Sequence, residues 1–454
     1  MQSIWAENIL TSDGWLKRGR VDIDKDGKIS AVTEDVSKTG KAVGTLLPAP
    51  ANIHSHSFQR AMAGMTEQRG DDPDDNFWSW RRLMYKFLDH LTPEDIEAIA
   101  AFTQMEMLEA GFGASVEFHY LHHQPNGHRY DNIAELSERI IAGANHSGIG
   151  LTLLPVLYEY GGCDQRPLGK GQIRFGNDNN QFAQLFEKAA AGLSALPVDA
   201  RIGVAPHSLR AVGADGLTAA LSLNPNGPIH IHAAEQVAEV EEIKAHWGKR
   251  PVEWLFENYS IDQRWCLIHA TQMQPHETEM LARSGAVAGL CPITEANLGD
   301  GIFDGVRYFE NKGHFGIGSD SNIRISLTEE LRLLEYTQRL ASKKRAVLAT
   351  REKSTGRLLL EGAAAGGARA SKRDAGRIEV GALADLCALD MQHIDLADKT
   401  GDAILDSYIF AGDDRMITDA WSAGRHLVKN GSHIHRDQLE ESYWARLKAI
   451  KSKI

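Results

Sequence analysis

Short apolar runs that end in polar or titratable residues recur along the chain. They are TLLPAPANIHSH, ASVEFHY, LTLLPVLYEY, RIGVAPHSLR, GPIHIHAAE, RWCLIHATQ, GAVAGLCPITEANLG and HFGIGSDSN. Runs this short and continuous suit strands covered on both faces. Between them lie longer segments with apolar residues at helical spacing. The clearest is LTPEDIEAIAAFTQMEMLEAGFG, in which Thr92 is a good N-cap and Pro93 fits the first helical position. Asp95 approximates a capping box there, and Gly111 or Gly113 can stop the helix. Further helices are expected near 132–147, 180–195, 235–247, 276–284, 328–349 and 356–370. Eight strand–helix alternations over about 325 residues predict an α/β fold, a (β/α)8 TIM barrel, whose chemistry gathers at the C-terminal ends of the strands.

The two chain ends have a different pattern. Residues 1–46 contain RVDIDKDGKISAV with the turn signal DKDG. Residues 376–427 contain GRIEVGALADLCALD and RMITDAWSAGRHLVKNG, also rich in strand and turn residues. A small β-sandwich built from both ends is expected, from 1–46 and 373–430, around a barrel over 47–372. The segment RDQLEESYWARLKAI predicts an amphipathic helix within 431–454, and GDDPDDN (70–76) a charged loop.

Composition narrows the partners. The 454 residues are 43% hydrophobic and 24% charged, as in globular proteins, with no apolar run long enough for a membrane helix. The start, MQSIWAENIL, lacks the basic and apolar regions of a signal peptide, and a cytoplasmic protein is expected. Lys and Arg number 49 against 61 Asp and Glu, a net charge of −12, which argues against nucleic acid and acidic membranes as partners. Cys163, Cys266, Cys291 and Cys387 are far apart and fit reduced core thiols.

Histidines and acids at the ends of the apolar runs change the picture most. His54 and His56 in NIHSHSFQR would point to one side of a strand. Alone, such a pair is more often a feature of a polar loop. IHIHAAE adds His232 and Glu235, LIHAT adds His269, and GIGSDSN adds Asp320, at the ends of the fifth, sixth and eighth strands. Three imidazoles and a carboxylate make a mononuclear hydrolytic metal site with a position left for water. His54, His56, His232 and Asp320 are the candidate ligands. Glu235, His269 and Asp320 are the candidate catalytic groups, with Glu235 a proton shuttle that need not bind metal.

H-x-H after the first strand, H-x-x-E after the fifth, His after the sixth and Asp after the eighth resemble the amidohydrolase superfamily. GRIEVGALADLCALD is similar to its C-terminal sandwich segment. Binuclear members usually carry a carboxylated lysine near the fourth strand. Here that place is VAPHSLR, so the resemblance implies one divalent ion, zinc in preference to iron. Within the superfamily the chain resembles the aminohydrolases, which release ammonia from a C=N carbon. NIHSHSFQRAMAG, FWSWRRLMYKF, VEFHYLHH, HSLRAV, RWCLIHATQ and PITEANLGDGIF are similar to the branch that acts on N-formimidoyl-L-glutamate. Pro292-Ile293 is a departure from that branch, beside the site and outside the ligand set.

The resemblance implies hydrolysis of that compound to N-formyl-L-glutamate and ammonia, a step of histidine degradation, by a homodimer. It carries contacts with the small dianionic, amino-acid-derived substrate onto Gln59, Arg81, Tyr120, His207 and Arg210. It leaves open whether His269 touches the metal or only the water. His119, His122 and His123 have no required role. Two rivals share the frame. A nucleobase or nucleoside deaminase would need aromatic and amide groups around a ring, where this chain offers two arginines and a histidine. A non-catalytic scaffold would usually have lost a ligand.

Overall fold

The computed structural model describes residues 2–67 and 77–453, the side chains of 77–79 excepted. The charged stretch 70–76 lies outside the described residues. Barrel strands run at Ala51–Ser55, Ala114–His119, Gly150–Leu157, the interrupted pair Arg201–Ile202 and Ala205–Pro206, Ile229–Ala233, Trp265–His269, Val287–Leu290 and His314–Ile317. The pair counts as one, giving eight positions that follow the eight apolar runs. Neighbours pair in parallel. Ile317 lies opposite Asn52, and bridges Val204–Ile229 and Ser208–His232 join the fourth strand to the fifth. Strands one, two, three, five, six and seven are buried at every residue, because helices cover the outer face and side chains fill the interior.

The expected helices form at Pro93–Glu109, Glu135–Ser147, Asn179–Gly192, Val237–Trp247, Pro275–Ser284, Leu327–Ser342 and Thr355–Ser371. Thr92 and Asp95 make the reciprocal capping box at the start of the first. The helix Thr355–Ser371 lies close against the eighth strand. A Cβ on Gly366 would fall 1.7 Å from the Phe315 carbonyl oxygen, so only glycine permits this approach.

Both chain ends enter one separate eight-stranded sheet. Its order is Ser432–His433, Arg425–Lys429, Ile417–Ser422, Leu386–Leu389, Lys41–Pro48, Gln2–Thr11, Gly14–Ile23 and Ile29–Thr33. The halves meet where Leu386–Leu389 runs antiparallel to Lys41–Pro48. Ile4, Ile9, Val21, Leu46, Leu386 and Trp421 form its apolar core. A buried ionic junction ties sheet to barrel. Arg373 reaches Asp199 at 2.8 Å and Asp385 at 3.0 Å, and Arg425 reaches Asp199 at 2.8 Å. Burial alone would raise the Asp199 pKa, but Arg425 and Arg373 hold its carboxyl well below the usual range.

The terminal helix Arg436–Lys451 packs on Pro93–Glu109, with Phe102 and Tyr443 stacked at 4.1 Å. All four cysteines are buried and free. Among the described residues no helix is long and apolar enough to cross a membrane.

Candidate active site

The C-terminal ends of the strands converge on one cavity. It is lined by His56, Gln59, Arg81, Tyr120, His207, Arg210, His232, Glu235, His269 and Asp320, together with Trp80, Met84, Tyr85, Tyr158, Phe175 and Leu298. Every candidate from the sequence is therefore in its wall except His54. That residue is fully buried beside it, with its ring 4.6 Å from that of His56.

The first and eighth strands place the cluster. Their pairing continues past their ends: Asp320 N–H donates to the His54 carbonyl at 2.9 Å, and His56 N–H to the Asp320 carbonyl at 3.0 Å. The Asp320 carboxylate thereby comes to 3.5 Å from His54 Nε2 and 3.2 Å from His56 Nε2. Gly318 makes this possible, since a Cβ there would lie 2.7 Å from the His54 Cβ. Asn52, Ser319 and Asn322 form a buried hydrogen-bonded network below Asp320. Glu117, on the second strand, accepts from both Ser57 N–H and Ser57 Oγ at 2.7 Å and fixes the turn after His56.

Ala234, His269, Ala270, Asp320 and Asn322 have φ between 46° and 71°, the left-handed region that costs a residue with a Cβ about 1–3 kcal/mol. These outliers gather at the ends of the fifth, sixth and eighth strands, and two of them, His269 and Asp320, line the cavity.

The donor set fits a divalent cation. Because carbonyls only accept, His56 Nδ1–H donates to Phe118 O at 2.9 Å and His232 Nδ1–H to His207 O at 3.1 Å. In the neutral rings each Nε2 then carries a lone pair. His54 Nε2 and His232 Nε2 are 3.1 Å apart, and ligand atoms of His54, His56 and His232 all lie within 4.8 Å of one another. Lone pairs and a carboxylate crowded this way repel each other unless positive charge lies among them. Three imidazole nitrogens and one carboxylate oxygen are a donor set suited to zinc. Burial lowers His54 to a pKa of about 3 and His232 well below its ordinary value, so both favour the neutral form that ligates metal. Burial would raise Asp320, but the adjoining His54 and His56 rings hold it well below the carboxylate range.

His269 differs from these rings. Its Nε2 faces Glu235 at 4.0 Å and Asp320 at 3.8 Å, and its Nδ1 lies 3.3 Å from Glu295. Burial opposes charge on it, yet Glu235, Glu295 and Asp320 outweigh burial and raise its pKa to about 10. Glu235 is fully buried, and burial raises its pKa.

The remaining candidates form the wall above. Gln59 Nε2 donates to the Tyr120 hydroxyl at 2.8 Å, Arg81 Nη2 donates to the Tyr158 hydroxyl at 3.0 Å, and Arg210 Nη2 is 3.8 Å from Glu235. His119, His122 and His123 are buried but do not line the cavity. His122 and His123 are tethered to the carbonyls of Val156 and Gly176. Sequence reasoning missed Tyr158 and Glu295, whose partners are distant in the chain.

Residues 45–427 match the amidohydrolase family. The chain is 45% identical over 447 residues to the formimidoylglutamate deiminase of Pseudomonas aeruginosa, covering 98% of each. It is 28% identical to a 5-methylthioadenosine/S-adenosylhomocysteine deaminase of Natronomonas pharaonis, over 86% of this chain and 84% of that one. Its fold superposes on the crystal structure of an amidohydrolase from Brucella melitensis with a TM-score of 0.94 and 44% identity, over 99% of this chain and 100% of the other.

Proposed function

The chain belongs to the amidohydrolase family, and from that premise we propose that it hydrolyses N-formimidoyl-L-glutamate to N-formyl-L-glutamate and ammonia. One observation carries the reading: a single buried cavity holds the metal-type donor cluster, a buried acid, and two arginines for a dianion. The deiminase relative supports the same substrate. The reading includes a role in histidine degradation in the cytoplasm, where four free buried thiols suit a reducing compartment. By analogy with family barrels it includes a homodimer.

His54, His56, His232 and Asp320 would hold the ion, zinc in preference to iron. When bound, it would supply Lewis-acid polarisation and a water acidified toward neutral pH. Arg81 and Arg210, from different elements, bind the two carboxylates, with Gln59, Tyr120 and His207 lining the same cavity. This orientation presents the formimidoyl carbon to the water. Asp320 takes up the proton lost as water adds to that carbon. Glu235, whose pKa burial raises, delivers a proton to the imino nitrogen. His269, whose pKa is raised by the acids around it, balances charge developing beside it. The proton held by Asp320 then passes to the nitrogen, the C–N bond breaks to release ammonia, and the added hydroxyl returns its proton to Glu235 as the carbon becomes the formyl group.

Two measurements test this proposal. Ammonia release should be fastest with N-formimidoyl-L-glutamate in a panel that also contains other formimidoyl amino acids, guanine and adenosine. Preference for guanine or adenosine would replace the reading with the nucleobase alternative. Elemental analysis of the purified protein should find one zinc-like ion per chain, and two tightly bound ions would refute the mononuclear site.

A further inference from the structure

We infer that Tyr158 is a specificity-determining residue: its hydroxyl hydrogen is donated to the outer carboxylate of the substrate, alongside Arg81, and Gln172 holds it in that orientation. The inference rests on the proposed formimidoylglutamate activity.

A phenol oxygen has two lone pairs and one hydrogen. Both lone pairs of Tyr158 have donors. Arg81 Nη2, which can only donate, is 3.0 Å away. Gln172 Nε2 is 2.8 Å away. The orientation of that amide is fixed, because Gln172 Oε1 accepts from Gly169 N–H at 2.9 Å. The ring cannot turn aside. Tyr158 follows the third strand, is buried, and packs against His207 at 4.6 Å and Phe175 at 5.6 Å. The hydrogen is left for a third direction, and among the described residues no acceptor takes it. Tyr158 lines the cavity, so the matching acceptor belongs to a ligand. Beside a guanidinium, that acceptor is an anionic oxygen.

The two arginines are not equivalent. Arg210 adjoins Glu235 at 3.8 Å, so the carboxylate nearest the reacting carbon falls to it. Arg81 and Gln172 also line an outer recess with Arg82, Tyr85 and Gly161. Arg81 and Tyr158 therefore meet the far carboxylate, that of the glutamate side chain.

The test compares N-formimidoyl-L-glutamate with N-formimidoyl-L-glutamine, whose side-chain carboxylate is an amide. The readout is the ratio of kcat/KM values for the metal-loaded enzyme. Tyr158→Phe keeps the ring and removes only the hydroxyl. It should lower the ratio by about 10- to 100-fold, the scale of one hydrogen bond to a charged group. Gln172→Leu, which frees the hydroxyl to rotate, should lower it less and mainly through KM. An unchanged ratio in Tyr158→Phe, with or without an equal loss on both compounds, overturns the assignment, since Tyr158 would then only shape the cavity. Should Tyr158→Phe fail to fold, an unchanged ratio in Gln172→Leu overturns it instead. A wild-type enzyme inactive on both compounds overturns the functional reading and this assignment with it.

Discussion

Glu235→Gln should keep its metal and its affinity for substrate and lose turnover by about 10²–10⁴-fold, the usual contribution of a positioned acid–base group. The substitution preserves shape and removes only the exchangeable proton. Glu235 sits three residues past His232, in a turn held by Glu239, which accepts from the Ala234 and Glu235 N–H groups. Thr271 also donates to the Glu235 carbonyl at 2.6 Å. The backbone is therefore fixed by groups other than the carboxylate, and the amide should occupy the same place. The loss should fall on kcat, because a proton delivered to the departing nitrogen acts after binding. Measured metal content and the affinity of a non-hydrolysable dianion should not change. Near-normal turnover in the variant would remove Glu235 from the mechanism.

How much of this was legible beforehand depends on whether the signal was local. Six of the eight barrel strands bury every residue, so the runs and their polar ends stood out, and with them His56, His232, His269 and Asp320. The capping box at Thr92 was legible for the same reason, since its parts lie three residues apart. Helices such as Ala214–Leu223, Gly305–Glu310 and Asp402–Phe410 were not anticipated. They are ten residues or fewer, and two of the three lack a side-chain cap at their start, so tertiary packing rather than local sequence sets them.

Long-range geometry was the hidden part. In IHIHAAE the pattern admits either histidine as a ligand. The structure directs His230 to the Ala370 carbonyl and leaves His232 with the cluster. Tyr158 carries no motif of its own. Its significance arises from Gln172, 14 residues away, and Arg81, 77 residues away. Glu295 likewise acquires a role only when folding brings it to His269, 26 residues back along the chain.

Arg210→Met should lower kcat/KM for N-formimidoyl-L-glutamate by at least about 10²-fold while leaving metal content unchanged. The metal-type cluster by itself would act on many C=N bonds, so discrimination has to come from the wall above it. Arg210 is buried and comes from the loop after the fourth strand, while Arg81 reaches the same cavity from the helix Phe77–Leu88. Two guanidiniums on different elements suit a flexible dianion better than a planar base, which asks for stacking and amide donors. Removing one partner of a buried ion pair leaves the other charge uncompensated, at a cost of about 3–5 kcal/mol. At about 1.4 kcal/mol per decade this exceeds two orders of magnitude. Because Arg210 also faces Glu235 at 3.8 Å, some of the loss should appear in kcat. The substrate series separates the two effects. In the wild type, N-formimidoyl-L-aspartate, one methylene shorter, should react more slowly, because its carboxylates cannot span both arginines. Neutral formimidoylglycine amide should hardly react. In Arg210→Met the advantage of the dianion over that neutral compound should shrink, whereas a change confined to Glu235 would slow both alike. Full activity in Arg210→Met would sink the dianion clamp.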